Sequence, residues 1–157
     1  MNKIPVSVWR NPWHFVAFGF GSGAVPFAPG TFGTLAAVLL YLPLQYLPWF
    51  SYTLLLVVAF AVGVVICDKT SRDIGVHDHG GIVWDEFVGY WLTMLFAPRG
   101  WLWIVVGFLL FRFFDIVKPW PIGWLDKQVK GGMGIMIDDV VAGVYALLCL
   151  QLLVLFF

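Results

Sequence analysis

Between Asn11 and Cys67 the chain carries no Asp, Glu, Lys or Arg, and this absence of charge constrains the fold more than any motif does. It leaves room for two apolar helices in lipid, joined by a Pro-rich connection at Pro43 to Pro48. Composition carries the same argument to the whole chain. Hydrophobic residues make up 61% and charged residues 11% of 157, against roughly 45–50% and 25% in a soluble domain. Nine Lys plus Arg balance nine Asp plus Glu, so there is no basic stripe for phosphate backbones and nucleic acid is excluded as a partner. The surface suits a membrane, and the length fits a single domain, 1–157.

The apolar pattern predicts an all-α fold, a polytopic helical membrane bundle of about five short helices. They are expected over residues 31–41 (extending to 47), 49–67, 82–97, 101–114 and 137–157. The turn Pro98-Arg99-Gly100 forces an antiparallel pair. Polar segments at 68–81 and 115–134 separate the other helices. The start, Met1-Asn2-Lys3-Ile4-Pro5, is too polar and Pro-broken for the core of a cleavable signal, so the chain is expected to keep it. Cys67 and Cys149 stand alone in apolar runs and read as buried small hydrophobes.

Charge asymmetry orients this bundle, because Lys and Arg concentrate in cytoplasmic loops. With a cytoplasmic N-terminus, Lys3, Arg10, Lys69, Arg72, Arg112, Lys118, Lys127 and Lys130 all fall inside and only Arg99 falls outside. The carboxylates, from Asp68 to Asp139, gather at the same cytoplasmic helix ends. Ionisable residues at the edge of an apolar span are costly and by default mark a site.

Two segments repeat each other: Gly81-Ile82-Val83-Trp84-Asp85-Glu86-Phe87-Val88 and Gly134-Ile135-Met136-Ile137-Asp138-Asp139-Val140-Val141. On parallel helices they would present acidic pairs at equal depth, a two-sided clamp suited to Mg²⁺, which takes a few carboxylate oxygens plus water and phosphate oxygens. On this reading Asp85, Glu86, Asp138 and Asp139 are metal ligands and catalytic groups, joined by Asp115 and Asp68. The plainer alternative is that both pairs cap helix N-termini. Arg112 and Lys118, beside Asp115, are candidates to hold phosphate oxygens, as are Lys69 and Arg72. Gly21, Ser22 and Gly23, with Thr31 as helix N-cap and Thr34 behind it, offer backbone N–H groups to an anion. His77 and His79 read as solvated loop residues or as proton shuttles. Ser7, Ser22, Ser51 and Ser71 have no placed partner for a nucleophilic triad.

These blocks, together with Pro29-Gly30-Thr31-Phe32-Gly33-Thr34, Val76-His77-Asp78-His79, Phe114-Asp115 and Lys118-Pro119, resemble the phosphatidylglycerophosphatase A family of bacterial inner-membrane lipid phosphatases. The resemblance covers most of the chain. It implies Mg²⁺-dependent hydrolysis of phosphatidylglycerophosphate to phosphatidylglycerol and phosphate, with the active site facing the cytoplasm. Water and an aspartate remain alternative nucleophiles. The rival reading, an ion-coupled transporter, needs polar groups at several depths, whereas here the outer half holds only Arg99. A purely structural membrane protein, with the acids as caps and dimer contacts, is the third reading.

Overall fold

The computed structural model describes residues 3–157; the start Met1-Asn2 lies outside the described residues. These residues form seven α-helices and two short 3-10 turns, with no strand among them. The helices are α1 (Pro12–Ala17), α2 (Pro29–Leu44), α3 (Trp49–Ile74), α4 (Trp84–Thr93), α5 (Trp101–Val117), α6 (Ile122–Gln128) and α7 (Gly131–Phe156). The all-α class is as expected, but five helices become seven. Short α1 and α6 were not anticipated. α1 follows an ordinary start signal: Asn11 Oδ1 accepts the Trp13 N–H, 3.0 Å away, with Pro12 as the first helical residue.

α4 is the hub. Its residues Trp84 to Trp91 are all buried, and α2, α3, α5 and α7 pack around it. Helix lengths divide the bundle. α3 and α7 have 26 residues each, about 39 Å at 1.5 Å per residue, enough for a hydrocarbon core of about 30 Å. α2 and α5, with 16 and 17 residues, reach about 24 and 25 Å. α4 has only ten residues, about 15 Å. The span expected over 82–97 is thus corrected to half a membrane's depth, because the chain leaves the helix at Met94 and turns through Phe96, at φ +62°, before Pro98.

Two other boundaries move for physical reasons. α3 was expected to stop where charge begins, at Cys67, yet it runs on to Ile74. Its ion pairs, Asp68–Arg72 at 2.9 Å and Lys69–Asp73 at 3.3 Å, are spaced one turn apart and support that extension. Gly75 ends the helix at φ +75°, its N–H donating to the Ser71 and Arg72 carbonyls. α7 starts at Gly131 and not at Ile137. Its glycine-rich first turn has poor intrinsic propensity, but packing on α3 holds it, with Asp68 Oδ1 accepting the Gly132 N–H at 3.0 Å.

α4 and α7 run parallel at close range. A Cβ on Gly143 would stand 2.6 Å from the Gly89 carbonyl oxygen, so no side chain fits between the two backbones. Thr93 Oγ1 donates to the Gly89 carbonyl at 2.9 Å within the same contact. The first turns of α2 and α4, the last turns of α3 and α5 and the first third of α7 meet at one end of the bundle. At the other end Arg99 donates to the Gln45 carbonyl and lies 4.9 Å from the Tyr46 ring centroid. Between the ends, Leu39, Val57, Leu109 and Leu152 are each more than half exposed, an apolar surface larger than soluble proteins usually leave uncovered.

Gly143→Val is expected to cost about 1–3 kcal/mol through overpacking against backbone, read as a lowered thermal unfolding midpoint in detergent. An unchanged midpoint would contradict the close α4–α7 contact.

Candidate metal and phosphate site

Asp85 and Glu86 occupy the first turn of α4, whereas Asp138 and Asp139 lie two turns inside α7. The capping alternative therefore fails for the second pair, whose helix begins at Gly131. Because α4 and α7 are parallel, Asp85, Asp138 and Asp139 converge: each offers one carboxylate oxygen, and the three lie within 4.8 Å of one another. All three are at most 9% exposed. Asp138 Oδ1 and Asp139 Oδ2 are buried without a hydrogen-bond partner, although buried carboxylate oxygens normally find one. A second half of the site flanks them. Glu86 turns away from the three-oxygen cluster and accepts from Thr34 Oγ1 at 2.8 Å and from Arg112 Nη1, which also donates to Asp115 Oδ2. Gly30 makes room for this: a Cβ there would stand 2.2 Å from Glu86 Oε1.

Lys118 closes the rim. It caps α5 at φ +46°, a left-handed conformation that costs a side-chain-bearing residue about 1–2 kcal/mol. From there Nζ reaches Asp138 at 2.9 Å and Asp126 at 3.2 Å. Burial alone would lower the ammonium's pKa, but the hydrogen bonds and charges of Asp138 and Asp126 outweigh it and hold the pKa above its ordinary value. Lys118 thus stays charged at neutral pH, and the stability it contributes is lost only as pH rises through that elevated pKa. Asp126, on the unanticipated α6, is a residue that sequence reasoning missed.

Carboxylates outnumber the basic groups here, with Asp85, Glu86, Asp115, Asp138 and Asp139 facing Arg112 and Lys118. Buried charge on this scale needs compensation. Hard oxygen donors with free lone pairs suit a hard divalent cation. Three such oxygens within 4.8 Å of one another form a donor set of the kind that can share one hard cation.

The remaining expected site residues lie elsewhere or act differently. Asp68 holds Gly132 and Arg72 and is not part of the three-oxygen cluster. Lys69 and Arg72 are spent on Asp73 and Asp68, with Lys69 half exposed and Arg72 mostly so. Thr31 is not an N-cap; Ala28 holds that position at φ +45°, and Pro29 opens the helix. Gly21, Ser22 and Gly23 form no cradle at the carboxylates. Ser22 Oγ donates to the Gly19 carbonyl at 2.7 Å, and a Cβ on Gly23 would stand 2.0 Å from the Gly81 carbonyl, so this loop braces the segment leading into α4.

His79, expected in a solvated loop, is 4% exposed and packs against Phe18. Its Nδ1 accepts the Gly81 N–H at 3.0 Å, which leaves the proton on Nε2. His77 is exposed and accepts the Gly131 N–H at 3.2 Å. Ser7 does have a partner that the sequence could not place. It lies 2.9 Å from His14 Nδ1, and His14 Nε2 lies 3.0 Å from Asp73 Oδ2, tying the N-terminal turn to α3.

The family model for phosphatidylglycerophosphatase A matches residues 15–154, a stretch that includes every carboxylate described above. The chain belongs to the phosphatidylglycerophosphatase A family. A phosphatidylglycerophosphatase A of Escherichia coli strain K12 is 53% identical over 85% of this chain and 78% of its own length. One from Haemophilus influenzae is 48% identical over 88% of this chain and 86% of its own. A Bacteroides thetaiotaomicron protein, provisionally named a phosphatidylinositol-3-phosphatase, is 41% identical over 83% of this chain and 86% of its own length. No solved structure matches the chain.

Arg112 is 14% exposed between Glu86 and Asp115, which are 11% and 13% exposed. Arg112→Met strands both carboxylates and is expected to cost about 3–5 kcal/mol, measured by thermal or denaturant unfolding in detergent. A loss below about 1 kcal/mol, the range of exposed pairs, would show that the triad is solvated.

Proposed function

We propose that this protein is a Mg²⁺-dependent lipid phosphatase that hydrolyses phosphatidylglycerophosphate to phosphatidylglycerol and phosphate. The reading places it in the bacterial inner membrane, working on the cytoplasmic side, with the charged end of the bundle toward the cytoplasm. The observation that carries it is the convergence of Asp85, Asp138 and Asp139 beside Lys118, in a chain whose relatives are named for this activity. The positive-inside rule supports the orientation.

In this reading Asp85, Asp138 and Asp139 hold the ion through the oxygens that face one another. Bound Mg²⁺ supplies Lewis acidity toward the phosphoryl oxygens and a more acidic water at neutral pH. Lys118, about a third exposed at the rim, meets the phosphate as a point charge. Arg112 acts one step back: held by Glu86 and Asp115, it fixes the α4–α5 wall and adds positive potential where charge develops. Thr34 and Gly30 set the Glu86 carboxylate against α2. Water is the proposed nucleophile. Burial of the cluster on α4 and α7 keeps bulk solvent from the carboxylates, so their charges act in a medium of low effective dielectric.

The deciding assay is phosphate release from phosphatidylglycerophosphate in detergent micelles by purified protein. Release is expected with Mg²⁺ and its loss with excess chelator. Asp85→Asn and Asp139→Asn are expected to abolish turnover while the protein still inserts and elutes as a single species. Full activity in both would sink the clamp. Because a ligand that binds only the folded state stabilises it by about 2.7 kcal/mol at a hundredfold excess over Kd, Mg²⁺ should also raise the unfolding midpoint of the parent and not that of Asp139→Asn.

A further inference from the structure

Where the loop after α3 meets α6 and the first turns of α7, a polar cavity of about 320 Å³ opens beside the carboxylate site. His77, Asp78, Asp126, Lys127 and Lys130 line it. It joins the site through a shared residue. The Asp126 carboxylate in its wall accepts from Lys118 Nζ at 3.2 Å, and the same ammonium donates to Asp138 at 2.9 Å. Ile135, which also lines the cavity, stands one turn before Asp138 and Asp139 on the same side of α7. The cations of the cavity are not committed elsewhere. Lys127 and Lys130 form no ion pair among the described residues, whereas Lys69, Arg72, Arg112 and Lys118 each hold a carboxylate. His77 Nε2 accepts the Gly131 N–H at 3.2 Å, which puts the proton of the neutral ring on Nδ1. Trp120 and Trp124 are exposed on the segment that supplies Asp126 and Lys127, and indole rings are favoured at the headgroup level of a bilayer.

We propose that this cavity receives the second phosphate of the lipid headgroup: Lys127 and Lys130 hold the phosphodiester while the terminal phosphomonoester lies at Asp85, Asp138, Asp139 and Lys118. The inference rests on the lipid-phosphatase reading and adds what selects the substrate. Phosphatidylglycerophosphate carries two phosphates, one at each end of a glycerol whose central hydroxyl is free. The monoester is the group cleaved, and the diester is what a simpler lipid phosphomonoester, phosphatidic acid, lacks. A site that held the monoester alone would bind both lipids through the same contacts and discriminate poorly between them. Two ammonium groups suit the diester's anionic oxygens as point charges. Asp126 is already matched by Lys118, which leaves these two cations facing Asp78 alone. Both carboxylates can accept the free hydroxyl between the phosphates.

Lys127 and Lys130 are exposed, so both can be neutralised without disturbing the core. Lys127→Gln combined with Lys130→Gln is expected to raise KM for phosphatidylglycerophosphate in mixed micelles by about tenfold or more. The loss falls in KM rather than kcat and brings kcat/KM down toward that for phosphatidic acid. Lys69→Gln combined with Arg72→Gln removes the same charge from the same end of the bundle and should leave KM unaltered. An unchanged KM, a loss confined to kcat, or an equal rise in both double variants would overturn the subsite. A second arm works without turnover. Short-chain phosphatidylglycerol keeps the diester and has no monoester to lose, and its binding is followed by isothermal titration in detergent. The parent and the Lys69/Arg72 variant are expected to bind it alike, and the Lys127/Lys130 variant about tenfold more weakly. Equal affinity in all three, or no binding by the parent, overturns the proposal. Should the parent release no phosphate from phosphatidylglycerophosphate, the phosphatase reading fails, and phosphatidylglycerol binding still decides the cavity.

Discussion

The structure depends on the parallel contact between a ten-residue buried helix and a long one at a separation only glycine allows. Gly89 and Gly143 bring the backbones of α4 and α7 together, and one turn away the same closeness brings Asp85 to Asp138 and Asp139. A wider spacing would separate the three oxygens beyond the reach of a single ion. Packing and chemistry are thus one constraint: the contact that gathers the carboxylates also makes their mutual repulsion hardest to bear. The Arg112 and Lys118 contacts on either side are arranged around that repulsion.

The shortness of α4 has a functional logic. An ionisable group deep in hydrocarbon is expensive, and a helix that carries Asp85 and Glu86 in its first turn and stops after ten residues keeps them at the bundle's polar end. α2, α3, α5 and α7 pack around it, so it is buried along most of its length. The cost falls at the far side, where the chain turns through residues 94–100 to reach α5. Among the described residues, α3 and α7 are the two helices long and apolar enough to cross a membrane.

How much of this was legible beforehand differs by residue. The Asp85-Glu86 and Asp138-Asp139 repeat was readable because two acids after a glycine-isoleucine block on two apolar helices is an unusual and local signal. Their division of labour was not. Asp138 and Asp139 both turn toward Asp85, while Glu86 turns to Arg112 and Thr34, and those directions follow from helix rotation and packing that spacing alone does not specify. Helix ends differ from the sequence pattern wherever charge or glycine reads as a stop. α3 carries its charges through paired turns, and α7 carries its glycines because a neighbour presses against them. The Gly19–Gly23 run shows the same ambiguity, since glycine permits an anion cradle and a tight brace equally, and the packing partner at Gly81 chose the brace.

By itself the sequence determined the helical class and the family. A charge-free stretch and clustered acids leave an apolar helical chain with its carboxylates near the helix ends, because composition and hydrophobic period act locally. Only the tertiary structure decided which oxygens meet, that Lys118 reaches both Asp138 and Asp126, that His14 joins Ser7 to Asp73, and that Asp126 and Lys127 share a cavity with His77. Those outcomes depend on how helices far apart in the chain rotate and approach. That is set by the volumes packed between them, and no single segment carries it.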